Sequence, residues 1–340
     1  MKIKLINVLI EKRSADKESV VMRSAMRKRI SLTSLFCVFL LLLISGLAVS
    51  HEASALVTVY FFDVGQGDSI FIDTNGLDVL IDGGPRSAGT TLMNYLNGLG
   101  VSRIDVVVAT HPHEDHIGGL ITVLDSNIPV ATVLYNGEAA TTKVYSDFTS
   151  LAQGKMEIAE RGQVYVLAAD VNFTVLSPVQ PLEFDDVNSN SIVLRFQAGK
   201  TAFLFTGDAT FEAENSMINA GLNLESQVLK VAHHGSRYAT STTFLNKVNP
   251  TCAVISAGLN NPYGHPHNET IQRLLNKGVT VYGTYVSGTI VISSDGQTVQ
   301  VHGNPEPIPE YPQNIILLLM FALTFSVLIE KIRKPSSLLY

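Results

Sequence analysis

The 340-residue chain is 46% apolar, enough to bury at least one substantial core, and its formal charge of −6 is unevenly spread. Residues 1–29 hold nine Lys/Arg against three Asp/Glu, whereas residues 53–303 hold 12 Lys/Arg against 23 Asp/Glu. An acidic central region of that kind counts against general nucleic-acid binding, which draws on Lys and Arg, and with only Cys37 and Cys252 in the chain no disulfide framework is available.

In chain order, the basic residues 1–29 end in Arg27-Lys28-Arg29 and abut an apolar run from Ile30 to Val49. Residues 30–55 fit two readings: a signal peptide with Ala53-Ser-Ala55 as its cleavage site, or an uncleaved membrane anchor. Residues 56–303 then carry a mixed pattern. Val57–Asp63, Ser69–Asp73 and Asp78–Asp82 read as short strands split by Gly and Asn turns, and Leu92, Leu96 and Leu99 predict a helix with those residues on one face. Ile104–Thr110 reads as a buried strand. Further strands are predicted at 191–197, 201–206, 227–232, 251–256, 280–285, 288–293 and 297–301, with helices at 209–220, 241–247 and 268–277. Strands and helices interleaved in this way predict one α/β or layered α+β domain without internal repeats. A proline-rich spacer at 304–314 leads to residues 315–340, where about fifteen apolar residues from Ile315 to Ile329 precede Lys331, Arg333 and Lys334.

Basic residues flank the outer end of both hydrophobic segments, which predicts membrane attachment through one or both ends, cytoplasmic termini and an extracytoplasmic or cell-surface domain between them. The spacer, apolar run and basic tail also resemble the tripartite C-terminal sorting signals of archaeal surface proteins that open with Pro-Glu-Phe, here Pro309-Glu310-Tyr311. In that reading the tail is removed. Asn172-Phe-Thr174 and Asn268-Glu-Thr270 fit the glycosylation sequon of an exported domain.

The chemistry concentrates at strand ends. Residues 111–116 read His-Pro-His-Glu-Asp-His, placing His111, His113, Asp115 and His116 together in a chain with nine histidines. Their spacing would scatter side chains around a helix and suits a loop leaving the strand Ile104–Thr110. Asp82 ends an apolar strand and is followed by Gly83-Gly84, which would let backbone approach a ligand closely. Asp208 ends Phe203-Leu-Phe-Thr-Gly-Asp, His233 and His234 run into Gly235-Ser236, and His265 and His267 sit in Asn261-Pro-Tyr-Gly-His-Pro-His. An aspartate at a strand end is ordinarily a turn residue. Together, these groups supply imidazole nitrogen and carboxylate oxygen, a donor set suited to Zn²⁺ and tolerable for Mn²⁺ or Fe.

The His-x-His-x-Asp-His loop, the upstream Leu80-Ile-Asp-Gly-Gly84 and the downstream Thr206-Gly-Asp208 resemble the metallo-β-lactamase fold superfamily. More narrowly, Phe62-Asp-Val-Gly-Gln-Gly-Asp68, Asn188-Ser-Asn-Ser-Ile-Val-Leu194, His233-His-Gly-Ser236 and Tyr263-Gly-His-Pro-His267 resemble the exported hydrolase domain of ComEC-type competence proteins, over about residues 58–302. The resemblance implies a four-layer αββα sandwich with two divalent metal ions at one edge of the sheets. It implies His111 and His113 on the first ion, Asp115 and His116 on the second, Asp208 bridging, and one of His233 and His234 completing the second site. Asp82 would orient ligands. Asp115, Asp208 and His234 are the residues implied for catalysis, and Asp68, Asn188, Asn190, Ser236, His265 and His267 fall in supporting or substrate-contacting motifs.

One departure stands out. Many superfamily members place another metal-binding histidine between the loop and the Thr-Gly-Asp aspartate, yet no histidine occurs from residue 117 to 232. Water, an amide oxygen, substrate or His265 is left to fill that position. The implied activity is hydrolysis of an ester, above all a phosphodiester of nucleic acid or of the cell envelope, by metal-activated water. Lactones, thioesters or lactams on the same fold are the enzymatic alternative, and a non-catalytic metal-binding surface domain is the other. No feature indicates a protein partner. A competence channel needs many membrane spans and this chain has at most two hydrophobic segments, so a DNA-uptake role is not implied with the domain.

Overall fold

Apolar alternation in some strands and unbroken burial in others dictate the architecture. In the computed structural model, which describes residues 56–74 and 76–309, β1 (Val57–Phe61) buries alternate residues fully, whereas β4 (Ile104–Ala109), β10 (Thr201–Phe205) and β12 (Cys252–Ile255) bury every residue. A strand buried on both faces must be covered on both.

The first sheet adds β2 (Ile70–Thr74), β3 (Val79–Ile81), β5 (Val130–Tyr135), β6 (Met156–Ile158), β14 (Ile290–Ser294) and β15 (Val299–His302). Its order is β15-β14-β1-β2-β3-β4-β5-β6. The second contains β7 (Val164–Ala168), β8 (Val171–Ser177), β9 (Val193–Ala198), β11 (Val228–Lys230) and β13 (Thr280–Gly283), ordered β13-β12-β11-β10-β9-β8-β7. Phe61, Ile72 and Val108 of the first sheet meet Phe173, Phe196, Phe203 and Phe205 of the second in one core. Burying each such side chain contributes about 1.5–3 kcal/mol. Helices α1 (Gly89–Gly98), α2 (Glu114–Leu124) and α3 (Lys143–Ala152) cover the outer face of the first sheet through Leu92, Leu96, Leu120 and Phe148. Helices α4 (Phe211–Asn219), α5 (Thr242–Val248) and α6 (Asn268–Asn276) cover the second through Met217, Phe244 and Leu274. The expected αββα sandwich is the observed fold.

Several local expectations change. Leu99 lies just past the end of α1 and is 41% exposed, so the buried stripe stops at Leu96. The strand expected to run to residue 285 stops at Gly283 and passes into the short helix α7 (Thr284–Ser287). Between residues 125 and 177, β5 to β8 and α3 were not anticipated; β6 and β7 are sheet-edge strands whose exposed Ile158, Val164 and Val166 break the apolar alternation. The domain also runs past residue 303: Ile308 is buried in the α4–α6 layer and its N–H donates to the Val281 carbonyl at 2.7 Å. The two hydrophobic terminal segments, residues 30–55 and 315–340, and Cys37 lie outside the described residues. Among those described, no helix is long and apolar enough to cross a membrane.

Strands β3 to β6 run parallel, as do β10 to β13. The candidate residues leave the C-terminal ends of β3, β4, β10 and β11, the usual place for a site in sheets of this kind.

Candidate metal centre

Asp82 follows β3 and Thr110-His111 follows β4, so two adjacent parallel strands deliver them side by side. Helix α2 begins at Glu114 with His113 as its N-cap. The stretch expected as a loop is therefore loop through His113 and the first helical turn at Asp115 and His116, where the helix dipole favours a carboxylate. The Gly83-Gly84 turn does not open toward a ligand; it admits the backbone of α2. Gly83 N–H donates to His116 O at 2.7 Å and Gly119 N–H to Gly84 O at 2.9 Å. A Cβ on Gly119 would lie 2.0 Å from Gly83 O.

That clamp sets Asp82 against His116. Asp82 Oδ2 is 2.8 Å from His116 Nδ1, while Thr110 donates to Oδ1 through its N–H at 2.8 Å and to Oδ2 through its hydroxyl at 2.7 Å. With Nδ1 engaged, His116 presents Nε2, 3.3 Å from Asp208 Oδ1. A carboxylate behind a histidine fixes its tautomer and orientation for a metal.

His234 is held in the same way from the second sheet. Its Nδ1 is 3.0 Å from Ser256 O and 3.3 Å from Asp68 Oδ1, and Asp68 Oδ2 is 2.7 Å from Lys230 Nζ. Lys230 is fully buried and also donates to Val231 O at 2.9 Å. Sequence reasoning assigned this lysine no role; the available signal was a lysine inside the apolar strand Val228-Leu-Lys-Val-Ala, a position tolerated only with a partner. His233 and His234 both adopt left-handed backbone, φ 51° and 52°, as does Asp82 at 56°. Each costs roughly 1–2 kcal/mol for a residue bearing a Cβ, and the turn sends the two imidazoles in different directions. His234 Nε2 lies 3.2 Å from Asp115 Oδ2 and 3.5 Å from Asp208 Oδ2, enclosed, whereas His233 Nε2 is 3.7 Å from Asp208 Oδ2 and 24% exposed.

Four buried atoms at this centre, His116 Nε2, His234 Nε2, Asp208 Oδ1 and Asp68 Oδ1, have no hydrogen-bond partner. Donor atoms of His111, His116 and Asp208 lie within 4.8 Å of one another, as do those of Asp115, His116 and His234, and those of Asp68, Asp208 and His234. Asp208 thus joins a group containing His111 to one containing His234. On the more open side, His113 Nδ1 is 3.0 Å from His111 Nε2, so both nitrogens can face one cation. The residues present fit a divalent metal.

The electrostatics point the same way. Burial opposes charge on Asp208, yet His234 and His116 hold its carboxyl well below the carboxylate range. Burial also opposes charge on His116, but Asp208, Asp82 and Asp115 hold it well above the histidine range, and Asp208 and Asp68 push buried His234 up to about 10. Carboxylates outweigh neutral imidazoles here, so the centre draws positive charge, as protons or as metal. Burial and the neighbouring His234 instead push His265 down to about 4.

The centre floors an open cleft of about 880 Å³ lined by His113, Asp115, Asp208, His233, His234, His265 and Asn188, among others. Asn188 is the residue of the 188–191 segment that reaches the cleft, and its buried Oδ1 has no partner. Ser191 Oγ accepts from Asp208 N–H at 3.2 Å and lies 3.3 Å from His111 Nδ1. Three expected site residues are not brought to the cleft. Asn190 spends its amide tying loops together, donating to Phe184 O at 2.7 Å and to Glu138 Oε2 at 3.3 Å. Ser236 is buried with its carbonyl bonded to the Thr270 hydroxyl at 2.7 Å, and His267 caps α6 and accepts from Arg237 N–H at 3.2 Å. Buried loop backbone needs such partners, and these residues supply them.

Comparison with known proteins adds to this geometry. The family described as the metallo-beta-lactamase superfamily matches residues 62–258. ComE operon protein 3 of Bacillus subtilis (strain 168) is 33% identical over 252 residues, covering 68% of this chain and 32% of that protein. Competence protein ComA of Neisseria gonorrhoeae is 35% identical over 241 residues, covering 70% and 32%. The chain therefore spans about a third of the length of these relatives. Among solved structures, a metallo hydrolase from the hyperthermophilic archaeon Ignicoccus hospitalis aligns with a TM-score of 0.47 at 19% identity, covering 69% of this chain and 98% of that one.

Proposed function

The chain belongs to the metallo-β-lactamase superfamily, and on that premise we propose that it is a phosphodiesterase using two divalent cations, with Zn²⁺ best suited to the donors. The observation that carries the reading is the convergence of His116 Nε2 and His234 Nε2 on Asp208, with these two nitrogens and Asp208 Oδ1 buried and without hydrogen bonds. Buried polar atoms ordinarily find partners, and cations shared among these groups satisfy them together.

When bound, such cations lower the pKa of a coordinated water toward neutrality and polarise an ester oxygen. The chain's own residues do the rest. His111 and His113 would hold one ion, Asp115, His116 and His234 the other, and Asp208 both. Asp115, which lines the cleft, would orient the attacking water. Asn188, in the segment that stands where many relatives carry a histidine, would offer its unpartnered amide oxygen to a bound cation or to the substrate. The choice of phosphodiester rests on the resemblance to competence-protein domains. The basic residues outside both hydrophobic segments support an extracytoplasmic, membrane-attached domain.

The test is metal analysis and a substrate panel on the full chain. One to two metals per chain and hydrolysis of bis(p-nitrophenyl) phosphate, abolished by a chelator and by His113→Ala, are expected. Turnover of lactones or thioesters without diesters would refute the substrate class. Bound metal with no turnover of any ester would make the domain a binding module.

A further inference from the structure

Among the described residues, the cleft has an aromatic platform and no basic lining. Tyr263 lines it and is 63% exposed. One face of its ring stacks on His265, with centroids 5.8 Å apart and planes 24° apart, and His265 in turn lies 5.4 Å from His233. The loop is preset by Asn261. Its amide donates to Gly258 O at 2.8 Å and His265 O at 2.5 Å, and its Oδ1 accepts from Tyr263 N–H at 3.1 Å and His265 N–H at 3.0 Å. A ring held before the ligand arrives loses little entropy on binding.

Charge around the cleft tells a complementary story. Among the described residues no lysine or arginine lines it, whereas Glu114 and Asp115 do. The nearby cations each have a carboxylate partner: Arg86 and Lys143 share Asp147 at 2.7 Å and 2.9 Å, Arg237 pairs with Glu269 at 3.1 Å, and Lys230 with Asp68. Proteins that bind single-stranded nucleic acid pair aromatic platforms with a basic groove that follows the backbone. Among the residues lining the cleft the platform stands without a basic partner, so within the cleft a phosphate finds its compensation at the metal centre.

Building on the phosphodiesterase reading, we propose that Tyr263 is a specificity-determining residue that stacks on a nucleobase-sized ring, and that the substrate is a small diester bearing one such ring and one phosphate, not a nucleic-acid strand. The free face of Tyr263, one imidazole away from the His233–His234 turn, puts the ring beside the reacting ester.

The test uses the full chain with Zn²⁺ or Mn²⁺ and two diesters with one leaving group, thymidine p-nitrophenyl phosphate and methyl p-nitrophenyl phosphate. We expect kcat/KM to favour the thymidine ester about ten-fold, the value of one base stack. Tyr263→Ala should erase that preference, chiefly through KM, and Tyr263→Phe should keep it. A single-stranded oligonucleotide should be a poor substrate whose cleavage responds weakly to salt. An unchanged substrate ratio in Tyr263→Ala overturns the proposal, as does an oligonucleotide cleaved faster than the thymidine ester with steep loss on adding salt. Turnover of both small diesters without a ring preference defeats this inference alone; turnover of neither defeats the phosphodiesterase reading beneath it.

Discussion

Asp68 sits between a lysine and a histidine that are both cut off from water, 2.7 Å from Lys230 Nζ and 3.3 Å from His234 Nδ1. Burying three ionisable groups is tolerable only as a set. Lys230→Met keeps the apolar stem and removes the charge, so Asp68 keeps its burial and loses its strongest partner. Breaking one side of a buried pair costs about 3–5 kcal/mol. With its supporting carboxylate disturbed, His234 should also bind metal about 10–100-fold more weakly. Urea unfolding of the metal-free protein reads the first effect, and a chelator-competition titration with Zn²⁺ reads the second. Lost stability with unchanged Zn²⁺ affinity would show that Lys230 supports the fold and not the histidine. Asp82 plays the matching part for His116; both carboxylates leave strands of the first sheet, while the imidazoles they back come one from each sheet.

At the scale of elements, the site depends on α2 lying against the Gly83-Gly84 turn. Gly119→Ala would put a Cβ 2.0 Å from Gly83 O, backbone against backbone, with no flexible side chain to give way. A loss of at least about 2 kcal/mol is expected, since overpacking commonly costs 1–3, and activity should fall further because Asp115 and His116 ride on the displaced helix. Gly98→Ala, at the end of α1 with nothing within 4 Å of the added Cβ, should instead stabilise by roughly 0.5–1 kcal/mol. Thermal melts of the two variants check the contrast. Helix α4 anchors the loop beyond His234 through Glu214, which accepts from Thr240 N–H and from Ser241 N–H at 2.9 Å. Burial pushes this carboxyl up from 4.5 to about 7. Because the folded value is the higher one, its contribution to stability is complete below about 4.5 and is lost as pH rises through about 7. Glu214→Gln should flatten that part of the stability–pH curve; an identical slope in both proteins would exclude the assignment.

Across the whole molecule, the centre couples metal, protons and folding. In the metal-free protein, Asp208 and Asp68 outweigh burial and raise His234 from 6.5 to about 10, so this contribution is complete below about 6.5 and disappears as pH rises through about 10. A metal on Nε2 excludes that proton. The metal-bound protein should therefore lose this pH dependence and gain about 2.7 kcal/mol at a free metal concentration one hundred times Kd. Chemical denaturation from pH 6 to 10 with Zn²⁺ or chelator separates the two cases. The chain alone already determined the donor cluster at His111–His116, the aspartates and histidines at strand ends, and the buried central strands. Those features rest on residue type and short-range spacing, which are local. The edge strands between residues 125 and 177 were illegible because apolar alternation fades where one side of a strand meets water. Tertiary structure alone decided that His234 turns inward and His233 toward the cleft, that Gly83 receives a helix, that Lys230 serves Asp68, and that Asn190, Ser236 and His267 hold loops. Each of these depends on what a distant segment places opposite the residue, and no spacing within the chain records that.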